Sequence, residues 1–169
     1  PVFAQIQTGN AYVEHLTVDN GISSNNVNCI FQDSRGFIWI GTSNGLNRYD
    51  GVQVLQLHHN EENPNSLPGN FICNITEDSQ HRLWIGTNEG ICSYLPLKNQ
   101  FASYLHTAKD FDILNATRFY VMVAADGMIW AASNTHLSAI DPVKNTVSHF
   151  KIDVGNQLPQ PRNFNIRTP

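Results

Sequence analysis

The chain's three tryptophans, Trp39, Trp84 and Trp130, stand 45 and 46 residues apart, and each lies in the same local context. The first copy reads QDSRGFIWIGTSNGLNRYD over 32–50, the second EDSQHRLWIGTNEGICSYL over 77–95, and the third VAADGMIWAASNTHLSAID over 123–141. The register continues upstream without a gap. Ile22, Leu67 and Ile113 align, and so do Ile30, Ile75 and Val121. A repeat of this period restricts the chain to folds in which one supersecondary unit stacks against copies of itself.

The unit reads as β. In copy one, 26–32 is a first strand, 33–36 a turn rich in turn-forming residues, and 37–42 a second strand. Ser43-Asn44-Gly45 makes the next turn and 46–49 a third strand. Asp50-Gly51 is a two-residue hairpin signal, followed by a fourth strand over 52–57. None of these segments has apolar residues at the i, i+3, i+4, i+7 spacing of a helix. Four antiparallel strands in about 45 residues are the signature of a propeller blade. The expected fold is all-β: a partial β-propeller of about three four-stranded blades, with no helix longer than about two turns. The units divide as blade 1 over 19–58, blade 2 over 59–105 and blade 3 over 106–151. Residues 1–18 form an amino-terminal segment in which 11–18 is an outer strand of a neighbouring blade, and 152–169 leads into the next blade. Copy three is degenerate, with Ala131-Ala132-Ser133 after its Trp and His136 where Gly45 and Gly90 stand.

Composition excludes several classes. With 41% hydrophobic and 14% charged residues the chain is neither a disordered tail nor a coiled coil. A net charge of −4 argues against nucleic-acid contact. No apolar run approaches the ~18 residues of a membrane span. Three cysteines imply no disulfide framework. Cys29 and Cys73 lie on successive first strands one position out of register, so strict alternation places them on opposite sheet faces. Cys92 falls on a third strand, and all three read as small buried residues.

Residues that recur in register serve the blade itself. Trp39, Trp84 and Trp130 are expected to pack between adjacent sheets, and Gly41 and Gly86 to be structural. Gly41-Thr42-Ser43-Asn44-Gly45 matches the G-x-S-x-G nucleophile elbow, but no helix follows and copy two has Asn88 in place of the serine. Its glycines are expected to serve turns with positive φ. Asp33 and Asp78 also recur, and read as turn residues rather than a pair of catalytic carboxylates. His58-His59 with Glu61 and Glu62 does not make a metal site, because adjacent residues of an extended chain point opposite ways. No metal or cofactor is expected. Of the sequons Asn74-Ile75-Thr76 and Asn115-Ala116-Thr117, the first falls inside a strand.

The run LTVDNGISSNNVNCIFQDSRGFIWIGTSNGLNRYDG over 16–51 closely resembles the two-component regulator propeller repeat. The pattern is G-[LI]-S-x-N-x-V, then Q-D-x-x-G-x-[IL]-W-[IF]-G-T, then G-L-x-R-Y-[DN]-G. Copy two keeps Asn70, Asp78, Trp84-Ile85-Gly86-Thr87 and Gly90, and copy three keeps Trp130 and little else. The resemblance implies part of a seven-bladed propeller in the periplasmic sensor region of a hybrid two-component system of the Bacteroides type. It implies a membrane helix, a histidine kinase and a receiver downstream, an oligosaccharide ligand and a homodimer. On that reading the chain itself is non-catalytic, touches no nucleic acid and meets the membrane only through downstream segments. The alternatives are a propeller enzyme acting on polysaccharide, as hydrolase or lyase, and a plain protein-interaction scaffold.

Specificity on a repeated scaffold belongs where the copies differ. In a propeller the fourth-to-first connections and the second-to-third turns share one rim. That rim would carry the 58–70 and 106–117 loops, with His59 on the first, and the turns at Asn44, Glu89 and His136. Arg118 and Tyr120, at the inner strand of copy three, would add a charge-assisted bond and a stacking surface. These six are the candidate ligand residues.

Overall fold

The computed structural model of the protein describes residues 15–106, 118–134 and 136–151. Within them lie twelve strands in three antiparallel sheets, each ordered as the chain runs. The first holds β1 (Val27–Gln32), β2 (Ile38–Thr42), β3 (Gly45–Tyr49) and β4 (Val54–Leu57). The second holds β5 (Ile72–Glu77), β6 (Leu83–Thr87), β7 (Gly90–Leu95) and β8 (Gln100–His106). The third holds β9 (Tyr120–Val123), β10 (Ile129–Ala132), β11 (His136–Asp141) and β12 (Thr146–Lys151). First strands of successive sheets lie against one another, β1 on β5 and β5 on β9, so the sheets stack face to face around their inner strands. The architecture is a partial β-propeller of three blades, and the all-β expectation holds.

Two apolar cores fill the gaps between blades. Trp39, Leu46 and Leu57 of blade 1 meet Ile72, Ile75, Leu83, Ile85 and Tyr94 of blade 2. Trp84 and Ile91 of blade 2 meet Phe119, Val121, Ile129 and Ile140 of blade 3. Trp39 and Trp84 are fully buried, with Tyr94 set edge-on to Trp39 at 5.0 Å between ring centroids. Trp130 holds the same lattice position, paired with Met122 and Ala139, but is only partly buried and stacks on Phe150 of its own blade.

The repeated polar residues serve these tryptophans. Asp33 Oδ2 accepts the Trp39 Nε1–H at 2.9 Å, and Asp78 Oδ2 accepts that of Trp84 at 2.9 Å. The other oxygen of each takes two backbone N–H groups of its own turn, Arg35 and Phe37 in one case, Gln80 and Arg82 in the other. Arg35 and Arg82 complete the sites with ion pairs of 3.0 and 2.7 Å. Copy three has Ala124 at this place. The threonine after the Trp-Ile-Gly run closes the next turn: Thr42 Oγ1 donates to the Gly45 carbonyl and Thr87 Oγ1 to that of Gly90.

Gly45 sits at φ +123, as a turn glycine should, whereas Gly90 at the same place does not enter that region. Gly41 and Gly86 have another purpose. A Cβ on Gly41 would lie 2.5 Å from Cys29 Sγ and 2.6 Å from Ile72 Cγ2, and one on Gly86 would strike the Phe119 carbonyl oxygen. They allow the next blade's chain to come close. The Asp50 turn is longer than a two-residue hairpin. Asp50 Oδ1 accepts from both Val52 and Gln53 N–H, holding them out of the ladder until Val54.

Strict alternation fails for the cysteines. The ladders shift between Val27 and Cys29 and again between Ile72 and Asn74. At such a bulge the extra residue breaks the two-residue period. Cys29 therefore packs toward blade 2, against Ile72, and Cys73 is buried near Phe119 and Arg118 of blade 3. Both face the following blade, and all three thiols are free. Asn74, in the first sequon, spans the same gap: its Nδ2 donates to the Val121 carbonyl and its Oδ1 accepts the Val121 N–H. Residues 15–17 form no strand and 18–20 make one 3-10 turn closed by Gly21 at φ +99. The rest of the expected outer strand at 11–18, the 107–117 part of the second loop, the sequon at Asn115 and the 152–169 connection lie outside the described residues.

Candidate functional site

Backbone hydrogen bonds define the rim on which the second-to-third turns and the fourth-to-first connections meet. Gly45 N–H donates to the Asn70 carbonyl at 2.7 Å, Asn88 N–H to that of Phe71 at 3.0 Å, and Phe119 N–H to that of Thr87 at 2.8 Å. The first and third bonds tie a turn of one blade to the chain entering the next, and the second closes the turn of blade 2 onto that blade's own entering chain. The rim is thus built of junctions, one per blade pair.

The six candidate residues distribute over it unequally. Asn44 is exposed at a turn, its N–H donating to Thr42 Oγ1. His59 is committed to its own loop, with Nδ1 2.6 Å from the Leu67 carbonyl and its N–H on Asn70 Oδ1. Part of that loop leaves the rim altogether, since the Asn65 carbonyl accepts the Phe101 N–H of edge strand β8. Covering an edge strand in this way is a structural task. His136 opens β11, its carbonyl accepting the Ser133 N–H and its own N–H donating to Ser133 Oγ.

Glu89 and Arg118 come together around one junction. Phe71 N–H donates to Asn88 Oδ1 at 3.1 Å, and Asn88 Nδ2 donates to Glu89 Oε1 at 3.2 Å. The Arg118 guanidinium lies over the Phe71 ring, 4.9 Å from its centroid. Arg118 is exposed and its backbone is in the left-handed region at φ +64. Tyr120 is also exposed, but β9 places it opposite Ala132, the position that Cys29 and Asn74 hold opposite Gly41 and Gly86. Both of those residues touch the following blade, so Tyr120 stands on an inter-blade face. Phe71 and Asn88, which organise this junction, were not evident in the sequence. Phe71 recurs in no other copy and Asn88 only as Asn134 of copy three, and only the fold brings 71, 88 and 118 together.

The opposite rim carries a second polar group. Ser34 of blade 1 donates through N–H and Oγ to the two carboxylate oxygens of Glu77 in blade 2, at 2.9 and 2.8 Å. His81 Nδ1 is 2.8 Å from the same Ser34 Oγ. A serine nucleophile needs a histidine whose other ring nitrogen is held by an acid. Here Glu77 and Ser34 sit on the same nitrogen side, and the arrangement is a clasp between blades. No described residues form a metal-ligating group of three or more His, Cys, Asp or Glu. No described helix is long and apolar enough to cross a membrane.

Residues 21–44 and 66–89 match the family model described as two component regulator propeller. No curated protein matches the chain. Among solved structures, the chain is similar to the extracellular domain assigned to the hybrid two component system BT3049 of B. thetaiotaomicron. That match has a TM-score of 0.71 and 24% identity over 82% of this chain and 20% of that one. The extracellular domain of BT4673 from B. thetaiotaomicron is similar too, at a TM-score of 0.63 and 21% identity over 85% of this chain and 19% of that one. A second structure of it, assigned to a hybrid two component system, gives the same TM-score and identity over 83% and 18%. The chain spans about a fifth of each of these proteins.

Proposed function

We propose that this chain, which carries two matches to the two component regulator propeller family, is the blade-bearing part of a non-catalytic sensor region of a hybrid two-component protein. The observation that carries the reading is the coincidence of both family matches with blades of a propeller built like the extracellular domains of BT3049 and BT4673. The sensor region is periplasmic, and blades over 19–58, 59–105 and 106–151 join further blades of the same protein. The ligand is an oligosaccharide derived from a glycan, and a homodimer of the complete protein transmits its binding to a cytoplasmic histidine kinase. Binding would shift the kinase by its differential affinity for two arrangements of the sensor region. The enzyme alternative lacks a positive observation. Asp33 and Asp78, the recurring acids, each hold a buried indole and an arginine.

The test is calorimetric titration of a glycan-derived oligosaccharide panel against the complete extracellular region, with Glu89→Ala, Arg118→Ala and Tyr120→Ala beside the parent. Saturable binding weakened by Glu89→Ala or Arg118→Ala supports the reading. Turnover of a glycan by the same protein would replace it with the enzyme reading.

A further inference from the structure

The geometry points to Arg118 as the residue that selects an acidic saccharide, one bearing a uronate carboxylate or a sulfate ester. This rests on the oligosaccharide-sensor reading and narrows it. Four arginines lie among the described residues. Arg35 and Arg82 are spent on Asp33 and Asp78. Arg48 is wedged between blades, over Phe37 at 4.8 Å and within 3.4 Å of Tyr94 OH. Arg118 alone of these is exposed on the rim, and it forms no ion pair with a described carboxylate.

Its position is fixed from both sides. Phe119, the next residue, is buried in the core between blades 2 and 3, and its N–H is held by Thr87. Phe71 lies under the guanidinium. Contact with a ring face uses the cation's charge but none of its five N–H donors, which lie in the guanidinium plane. The donors remain available for the bidentate contact that carboxylate and sulfate oxygens accept. The backbone adds a second argument. A non-glycine residue in the left-handed region is strained, and glycine or asparagine would sit there at lower cost. The chain accepts that strain and presents a preorganised cation over Phe71, whose own N–H is held by Asn88.

The experiment titrates four ligands into the complete extracellular region: a uronate oligosaccharide, its carboxyl-reduced neutral counterpart, a sulfated oligosaccharide and its desulfated counterpart. The proteins are the parent, Arg118→Lys, Arg118→Gln and Arg118→Gly. The parent should bind one acidic ligand about tenfold or more tighter than its neutral counterpart, weakening with salt. The acidic ligand preferred identifies the source of the anion. Arg118→Lys should keep part of the preference and Arg118→Gln should lose it at an unchanged melting temperature. Arg118→Gly should lose it while melting higher, because the backbone strain is relieved. Equal binding of acidic and neutral partners, or a preference that survives Arg118→Gln, overturns the assignment and leaves the sensor reading standing. Binding of no saccharide at all overturns both.

Discussion

Asp33 and Asp78 show how one residue type sets the behaviour of the repeat. Burial pushes the Asp33 carboxyl up, but hydrogen bonds from the Trp39 indole, Arg35 and the Phe37 amide outweigh it and hold the group below its ordinary value. Asp78 is lowered in the same way: burial raises it, and the Trp84 indole, Arg82 and the Gln80 amide more than compensate. A carboxylate depressed in the folded state stabilises the fold fully above its unfolded pKa of about 3.9. That contribution is lost as pH falls through the lower folded value. The urea midpoint should therefore be flat from pH 7 to about 5 and drop below about 4. Asp33→Asn with Asp78→Asn should lower stability at pH 7 by about 1–3 kcal/mol per site and flatten the acid limb. An acid limb of unchanged slope in the double variant would show that other groups cause it. The tryptophans divide differently. Trp39→Ala should cost about 3–5 kcal/mol, and Trp130→Ala clearly less, because Trp130 is only partly buried and copy three offers Ala124 in place of the aspartate. The Trp period was legible in the sequence because a large apolar residue in register has few other uses. The Asp–Trp bond was legible only in part: the constant six-residue offset from 33 to 39 and 78 to 84 was visible, but the turn residues at 33 and 78 satisfied a simpler explanation.

At the scale of elements, the inner strands control how closely blades approach. Gly41 faces side-chain atoms of Cys29 and of the fully buried Ile72, which yield more readily than backbone, whereas Gly86 faces the Phe119 carbonyl, which is fixed in the chain. Gly86→Ala should accordingly cost about 3 kcal/mol and Gly41→Ala about 1 kcal/mol, measured by chemical denaturation. Equal costs would mean that the blade 2–blade 3 junction yields as easily as the first. The bulges at the start of β1 and β5 explain why the cysteines were misplaced by a two-residue period. Nothing in VNCIFQ or ICNITE marks the extra residue, since both segments alternate acceptably without it. The consequence is chemical as well as geometric. Burial pushes the Cys29 and Cys73 thiols up to about 11, and raises Cys92 further still. Alkylation by iodoacetamide at pH 7.5 should be slow in the native chain and become rapid only in denaturant. Fast labelling of any one of the three would show an opening that these junctions do not predict. The rim was legible as a location, because second-to-third turns follow from the strand order. The Glu89–Phe71–Arg118 junction was not, because it joins residues whose proximity depends on how two blades stack.

Across the whole molecule, equivalent positions report which faces have neighbours. Ile75 and Val121 point toward the preceding blade and are 8% and 4% exposed, whereas Ile30, at the same place in blade 1, is 68% exposed. On the other end Met122 and Phe150 are exposed on the face where Trp130 is partly covered. Val27 adds to the first face, so each end of the described stack presents apolar area of the kind that the two inner junctions bury. Large contiguous apolar patches mark interaction surfaces, and unpaired sheet faces of this kind promote association. The 169-residue chain expressed by itself should therefore sediment above its 18.9 kDa monomer mass. Ile30→Lys together with Phe150→Lys should return it toward the monomer without loss of β circular dichroism, because Ile30 stands largely in solvent and Phe150, half exposed, stacks on Trp130 at the outer face and belongs to neither inter-blade core. Supplying neighbouring blades in one polypeptide should have the same effect by covering the faces. A parent chain that is folded and strictly monomeric at tens of micromolar would mean that these faces are covered from within the 169 residues, and the open-array account of the molecule would fall.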